Sequence, residues 1–246
     1  MRVIHALSLS LAGALLVVCG CASAVTQEQV IAGAAQLYAQ RIAALDQARR
    51  LDTDADFVAR VARVARGLIQ QAVNDYPGTA DWLWELHTTN DPEQNADCMA
   101  GGKILVSQDY VERLELNDAE LAMLLAHEIA HATLRHNLKE YEQVERLDPT
   151  WLKRPFEELE DAVDNDDVLV EQLAPLDFAQ EVEADRAGLL LAWRAGWPAE
   201  RLAGYFKKMM RVSGAPNFDT ATHPAPASRW HAAHALAATL DAQQRP

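Results

Sequence analysis

Residues 117–131 constrain this chain more than any other stretch. Asn117-Asp118-Ala119-Glu120 has the form of a capping box, with Asn117 as the cap and Glu120 three residues later. The helix it opens is apolar from Leu121 to Ala126 and again at Ile129 and Ala130. Into this run it sets His127, Glu128 and His131. On a helix, positions i and i+4 share a face one turn apart, so both imidazoles can reach one metal ion. Glu128 lies about 100° round the helix from His127, where its carboxylate can address a water on the metal without ligating it. A solvated helix face would not set two His and a Glu against so apolar a run. The same pattern carries the helix on to about Asn137.

A catalytic zinc ion takes three protein ligands and keeps a position for water. The segment Glu181-Val182-Glu183-Ala184-Asp185 offers the third on a later helix. Glu181 and Asp185 are one turn apart and face the same way. Glu181 can bind the metal, and Asp185 can accept the N–H of a ligating imidazole, His127 for preference, which fixes its orientation and basicity. Glu183 points elsewhere, as a surface or structural acid.

The rest of the chain reads as scaffold around these two motifs. Helices are expected over residues 26–51, capped by Thr26, and 54–75, stopped by Pro77-Gly78. Short strands are expected over residues 82–88 and, after Gly101-Gly102, over 103–107, with a polar loop between them. Residues 147–177 are irregular and acidic, with Pro149, Pro155 and Pro175, and read as a lid or an insertion with short helices. Further helices follow over residues 176–195, from Pro198 to 212, and over 227–242, with Gly196 placed to end the first of them. The fold class is α+β, mainly helical, with a small sheet beside the metal helix.

Half of the 246 residues are hydrophobic and the formal net charge is −14. That acidity excludes nucleic acid as a partner, which needs a basic footprint. Arg2 and His5 precede an apolar run over residues 6–18, too short to span a bilayer as a helix and typical of an export signal. Val18-Cys19-Gly20-Cys21 resembles a lipobox, which would make Cys21 a lipidated first residue and anchor the chain to the outer membrane. Ala22-Ser23-Ala24 offers the alternative cleavage site of a soluble periplasmic protein. The expected division is a leader over residues 1–20, N-terminal helices over 21–76 and a catalytic domain over 77–246. Once the leader is removed Cys98 is the remaining internal cysteine, read as a small buried hydrophobe.

His-Glu-x-x-His followed by Glu-x-x-Ala-Asp is similar to the gluzincin metallopeptidases. Within them the chain resembles the family of HtpX, the CAAX prenyl endopeptidases, the mitochondrial Oma-type proteases and the periplasmic BepA and LoiP. Asn95-Ala96, Gly101-Gly102, Arg135-His136 and Thr222-His223-Pro224 with Arg229 extend the likeness. The resemblance implies a zincin-like endopeptidase with one zinc per chain, bound by His127, His131 and Glu181, and with Glu128 as the base. It implies extended or unfolded polypeptides as substrates, paired with an edge strand near residues 103–107. It also implies a role in envelope quality control, with the outer-membrane assembly machinery as a partner. His223 reads as a removable fourth ligand, as a transition-state stabiliser together with Arg229, or as a loop residue that orders the turn before Pro224. His136 reads as a structural histidine. The exopeptidase motif of gluzincin aminopeptidases is not found. The rival reading is a non-enzymatic outer-membrane assembly factor with a silent zinc site.

Overall fold

The structure, a computed structural model, describes residues 25–212 and 218–243. The leader, Cys21 and the alternative cleavage site after Ala24 lie outside these residues. Helices α1 (Gln27–Gln47) and α2 (Ala55–Asp75) come first. Strands β1 (Glu85–Thr89), β2 (Ala96–Met99) and β3 (Lys103–Ser107) follow, and then α3 (Gln108–Arg113) and α4 (Asp118–Thr133). After α5 (His136–Leu147) and α6 (Phe156–Asn165) the chain runs through α7 (Asp167–Arg194), α8 (Ala199–Val212) and α9 (Pro226–Gln243). The class is α+β, mainly helical, as expected. Among the described residues no helix is long and apolar enough to cross a membrane.

The sheet corrects two expectations. Residues 96–99, read as part of a loop, form β2, and the strand expected from Trp82 begins at Glu85. The order is β1-β3-β2, with β1 parallel and β2 antiparallel to β3. β3 is therefore the central strand, not an edge, and residues 103–107 have no free side to offer a substrate. Its residues are buried throughout because both faces are covered. Ile104 and Val106 join the main core, while Leu105 packs with Tyr38 and Leu45 of α1. The Tyr38 hydroxyl donates to the Ile104 carbonyl at 2.6 Å and ties α1 to the sheet. Gly101 and Gly102 both take positive φ, 81° and 79°, in the turn from β2 to β3.

α4 runs through the main core, with α2, α7, α8 and β2 packed around it. Asn117 caps it as expected: its side chain accepts from the N–H of Ala119 and Glu120, and Glu120 returns a bond to the Asn117 N–H. The helix ends at Thr133, short of the expected Asn137, because Arg135 adopts the left-handed conformation, φ 59°. That geometry costs a non-glycine residue about 1 kcal/mol or more. It turns the chain so that α5 begins at His136.

The acidic stretch is more regular than its prolines suggested. α6 and the first third of α7 are helical, and α7 starts at Asp167 with Pro175 inside it. Asp166 caps α7 by accepting from the N–H groups of Val168 and Leu169. Leu159, Leu169 and Leu173 bury against Val30, Ala34, Tyr141 and Val144, a second small core beside the first. Glu157, Glu158, Asp161, Asp166, Asp167 and Glu171 are exposed, and the leucines hold the segment down.

α4 and α7 meet at Gly188. A Cβ there would stand 2.8 Å from the His127 backbone nitrogen and 2.9 Å from the Ala126 carbonyl. Backbone atoms cannot swing aside, so Gly188→Ala should force the two helices apart. The expected cost is about 1–3 kcal/mol of stability, read by thermal denaturation, with weaker metal uptake; an unchanged melting temperature would refute the close approach.

Candidate metal centre

α4 presents His127 and His131 one turn apart, and α7 brings Glu181 across to them. Nε2 of His131 lies 3.2 Å from Nε2 of His127. Oε1 of Glu181 is 3.3 Å from His131 Nε2, and Oε2 is 3.6 Å from His127 Nε2. Tetrahedral zinc bonds of about 2.0–2.1 Å place neighbouring ligand atoms about 3.3 Å apart, so the three donors fit one such ion. Among the described residues these three form a group of His, Cys, Asp or Glu whose ligand atoms all lie within 4.8 Å of one another. Glu128 and Asp185 are outside it.

Each of the two histidines is backed by a second residue. His127 Nδ1 stands 3.0 Å from Asp185 Oδ1. The N–H is not aligned on that oxygen, and no other described polar atom takes it, so a small turn of the ring completes the bond. Asp185 is held in turn by Arg229, whose Nε and Nη2 donate to its two oxygens at 2.7 and 2.6 Å. Nη2 of Arg229 also lies 3.2 Å from Glu181 Oε2. Arg229 is thus engaged by carboxylates rather than pointing freely into the cleft. Burial opposes ionisation of Glu181, but His131, His127 and Arg229 outweigh it and hold the carboxyl well below the usual range. Asp185 is held low in the same way by His127 and Arg229, against its own burial.

The second histidine has a longer support. His136 folds back so that its Nδ1 is 3.0 Å from His131 Nδ1. His136 Nε2 faces Glu183 Oε2 at 3.3 Å, and Lys139 Nζ meets the same oxygen at 3.2 Å. The His136 carbonyl accepts from the buried Gln180 amide. Burial first, then the charges of His131 and Lys139, push the His136 imidazole down to about 4, so it is neutral at physiological pH. Glu183, read from sequence as a surface or structural acid, is the residue that receives it.

The cavity in front of the donors has a volume of about 270 Å³ and is lined by Asn95, Ala96, Glu128, Tyr110, Tyr205 and His223 among others. Burial, and after it the charges of Asp97 and Glu181, raises the Glu128 carboxyl well above its ordinary value. No motif marks Tyr110 or Tyr205, whose hydroxyls are 3.2 Å apart. Sequence spacing places only Tyr205 on a helix; α3, which carries Tyr110, was not expected, and the convergence of the two depends on how α3 and α8 pack. His223 sits at the mouth, with its Nδ1 2.8 Å from the Thr222 hydroxyl and its Nε2 3.9 Å from Glu181 Oε1. Its backbone N–H and carbonyl are both clasped by Thr220. The acidic stretch flanks the same side, where Asp177, Val163 and Val170 line a neighbouring cavity with His131, Glu181 and His223.

Comparison with known proteins gives a consistent picture. The model of Peptidase family M48 matches residues 54–237. The mitochondrial metalloendopeptidase OMA1 of Arabidopsis thaliana is 30% identical over 142 residues, which are 57% of this chain and 29% of that protein. The beta-barrel assembly-enhancing protease of Yersinia pestis is 29% identical over 160 residues, 59% of this chain and 33% of its own length. The Saccharomyces cerevisiae OMA1 is 30% identical over 158 residues, 59% and 45% of the two chains. The chain spans less than half the length of each of these relatives.

Proposed function

This chain belongs to peptidase family M48, and from that premise we propose that it is a zinc-dependent endopeptidase of the bacterial envelope, acting on unfolded or misassembled proteins. The observation that carries the reading is the convergence of His127, His131 and Glu181 on one cavity that also holds Glu128. Zinc bound there would supply Lewis acidity, lowering the pKa of a water and polarising the scissile carbonyl. The chain's own groups do the rest. Asp185 orients the His127 imidazole, and Arg229 keeps Glu181 and Asp185 ionised and in place. Glu128, set one residue after His127, takes a proton from water and returns it to the leaving amine.

The edge of the sheet nearest this cavity is β2, since Asn95 and Ala96 line it. An extended substrate would add to the outer side of β2, a mode of binding that selects chains without stable structure. Relatives named beta-barrel assembly-enhancing protease support outer-membrane proteins as the setting, and the lipobox around Cys21 supports anchoring there. The mature chain should hold one zinc and cleave casein, lose both on treatment with phenanthroline, and recover both with added zinc. An internally labelled, N-blocked peptide should be cut at internal bonds. Stoichiometric zinc without turnover of any unfolded substrate would favour the assembly-factor reading instead.

His223 decides how open the site is. Its position at the mouth, near Glu181 but outside the ligand group, supports a loop that can swing onto the fourth position. His223→Ala should then raise casein cleavage several-fold; a fall of similar size would assign His223 to the transition state.

A further inference from the structure

Both metal histidines are backed by a carboxylate that is itself paired with a cation, but the two supports differ by one residue. On the His127 side the order is imidazole, Asp185, Arg229. On the His131 side an imidazole is interposed, so the order is His131, His136, Glu183, Lys139. We infer that His136 is a positioning residue for the metal ligand His131, and that Glu183 with Lys139 fixes the tautomer in which it works. This rests on the reading of His131 as a zinc ligand.

The protonation pattern follows from hydrogen-bond bookkeeping. His131 faces its fellow donors through Nε2, so a neutral His131 that gives Nε2 to a metal must carry its proton on Nδ1. Its neighbour at 3.0 Å is His136 Nδ1, which can accept that proton only if it is itself bare. His136 must then carry its hydrogen on Nε2, where Glu183 Oε2 waits at 3.3 Å. Lys139 on the same oxygen favours the ionised Glu183 that this acceptor role requires. Each nitrogen has one assignment and the chain of donors runs in one direction, away from the metal.

The fold is arranged to deliver this contact. The left-handed Arg135 breaks the helix directly after α4, and the resulting turn lays the His136 ring edge-on to His131 with centroids 4.7 Å apart. Gln180, one residue before the ligand Glu181, holds the His136 carbonyl. His136 is 1% exposed, so solvent cannot substitute for it as the acceptor.

The test measures zinc affinity by competition with a chromophoric chelator, alongside the melting temperature of the zinc-free protein. His136→Phe keeps the ring volume and removes the acceptor, and should weaken zinc binding about 10- to 100-fold. His136→Asn returns an oxygen near the Nδ1 position and should recover most of that loss. Glu183→Gln, at a half-exposed site that tolerates change, should weaken zinc by a few-fold. Nitrogen-15 spectra of the zinc-loaded wild type should show His136 protonated on Nε2 and His131 on Nδ1. The relay is overturned if His136→Phe binds zinc as the wild type does, if Asn serves no better than Phe, or if His136 carries its proton on Nδ1. Should His136→Phe fail to fold, the Glu183 variant and the spectra decide. A wild type that takes up no zinc removes the site itself, a failure distinct from unchanged affinity in the variants.

Discussion

Glu128→Gln should bind zinc stoichiometrically and lose about 10²- to 10⁴-fold in kcat on casein or a peptide. The amide has the shape of the carboxylate but cannot take a proton from water. KM should change little, because Glu128 is not among the three donors that could hold an ion. The same substitution should leave the protein at least as stable as before. Burial and the charges of Asp97 and Glu181 disfavour the ionised Glu128, so removing its charge relieves a repulsion. Activity and stability should thus move in opposite directions, as expected where a group is kept for chemistry and not for folding. A variant with wild-type turnover would remove Glu128 from the reaction.

Arg229→Met should have the largest structural effect of any single change at the site. Arg229 is buried, grips both oxygens of Asp185 and reaches Glu181. Removing it leaves two carboxylates close together with their cation gone, and breaking a buried pair in this way costs about 3–5 kcal/mol. Urea denaturation of the zinc-free protein should show the full loss, and zinc should offset part of it by supplying positive charge to Glu181. Arg229→Lys should recover only a fraction, since one ammonium cannot match the two-pronged contact. A loss below about 1 kcal/mol would mean that the network is solvated and Arg229 is dispensable.

The site was legible in sequence where its geometry is set by helical spacing. His127 and His131, and Glu181 and Asp185, each lie one turn apart, and that relation holds wherever the helices go. What the sequence could not supply was the relation between elements. Arg229 carries no periodic signal that it will meet Asp185, and His136 looked structural because its ring turns toward His131 only through the left-handed Arg135. Tyr110 and Tyr205 reach the cavity by packing alone. In the fold, Pro175 read as a breaker, since it lacks an N–H and crowds the preceding turn. Burial of Leu169 and Leu173 on one side of that proline offsets its cost and keeps α7 continuous. β2 was missed because Ala96 to Met99 is short and mixed, and it exists as a strand by virtue of its pairing with β3.

The contact at Gly188 has a consequence for how such a centre can vary. His127 and His131 belong to one rod, Glu181, Glu183 and Asp185 to another, and the separation of the two rods is fixed by a side chain that is missing. The stretch over residues 148–166 contributes none of these side chains, so its length can drift without shifting where they meet. Distance along the polymer and distance in space are uncoupled here, and a protein built this way can exchange its connecting segment while its chemistry stays in register.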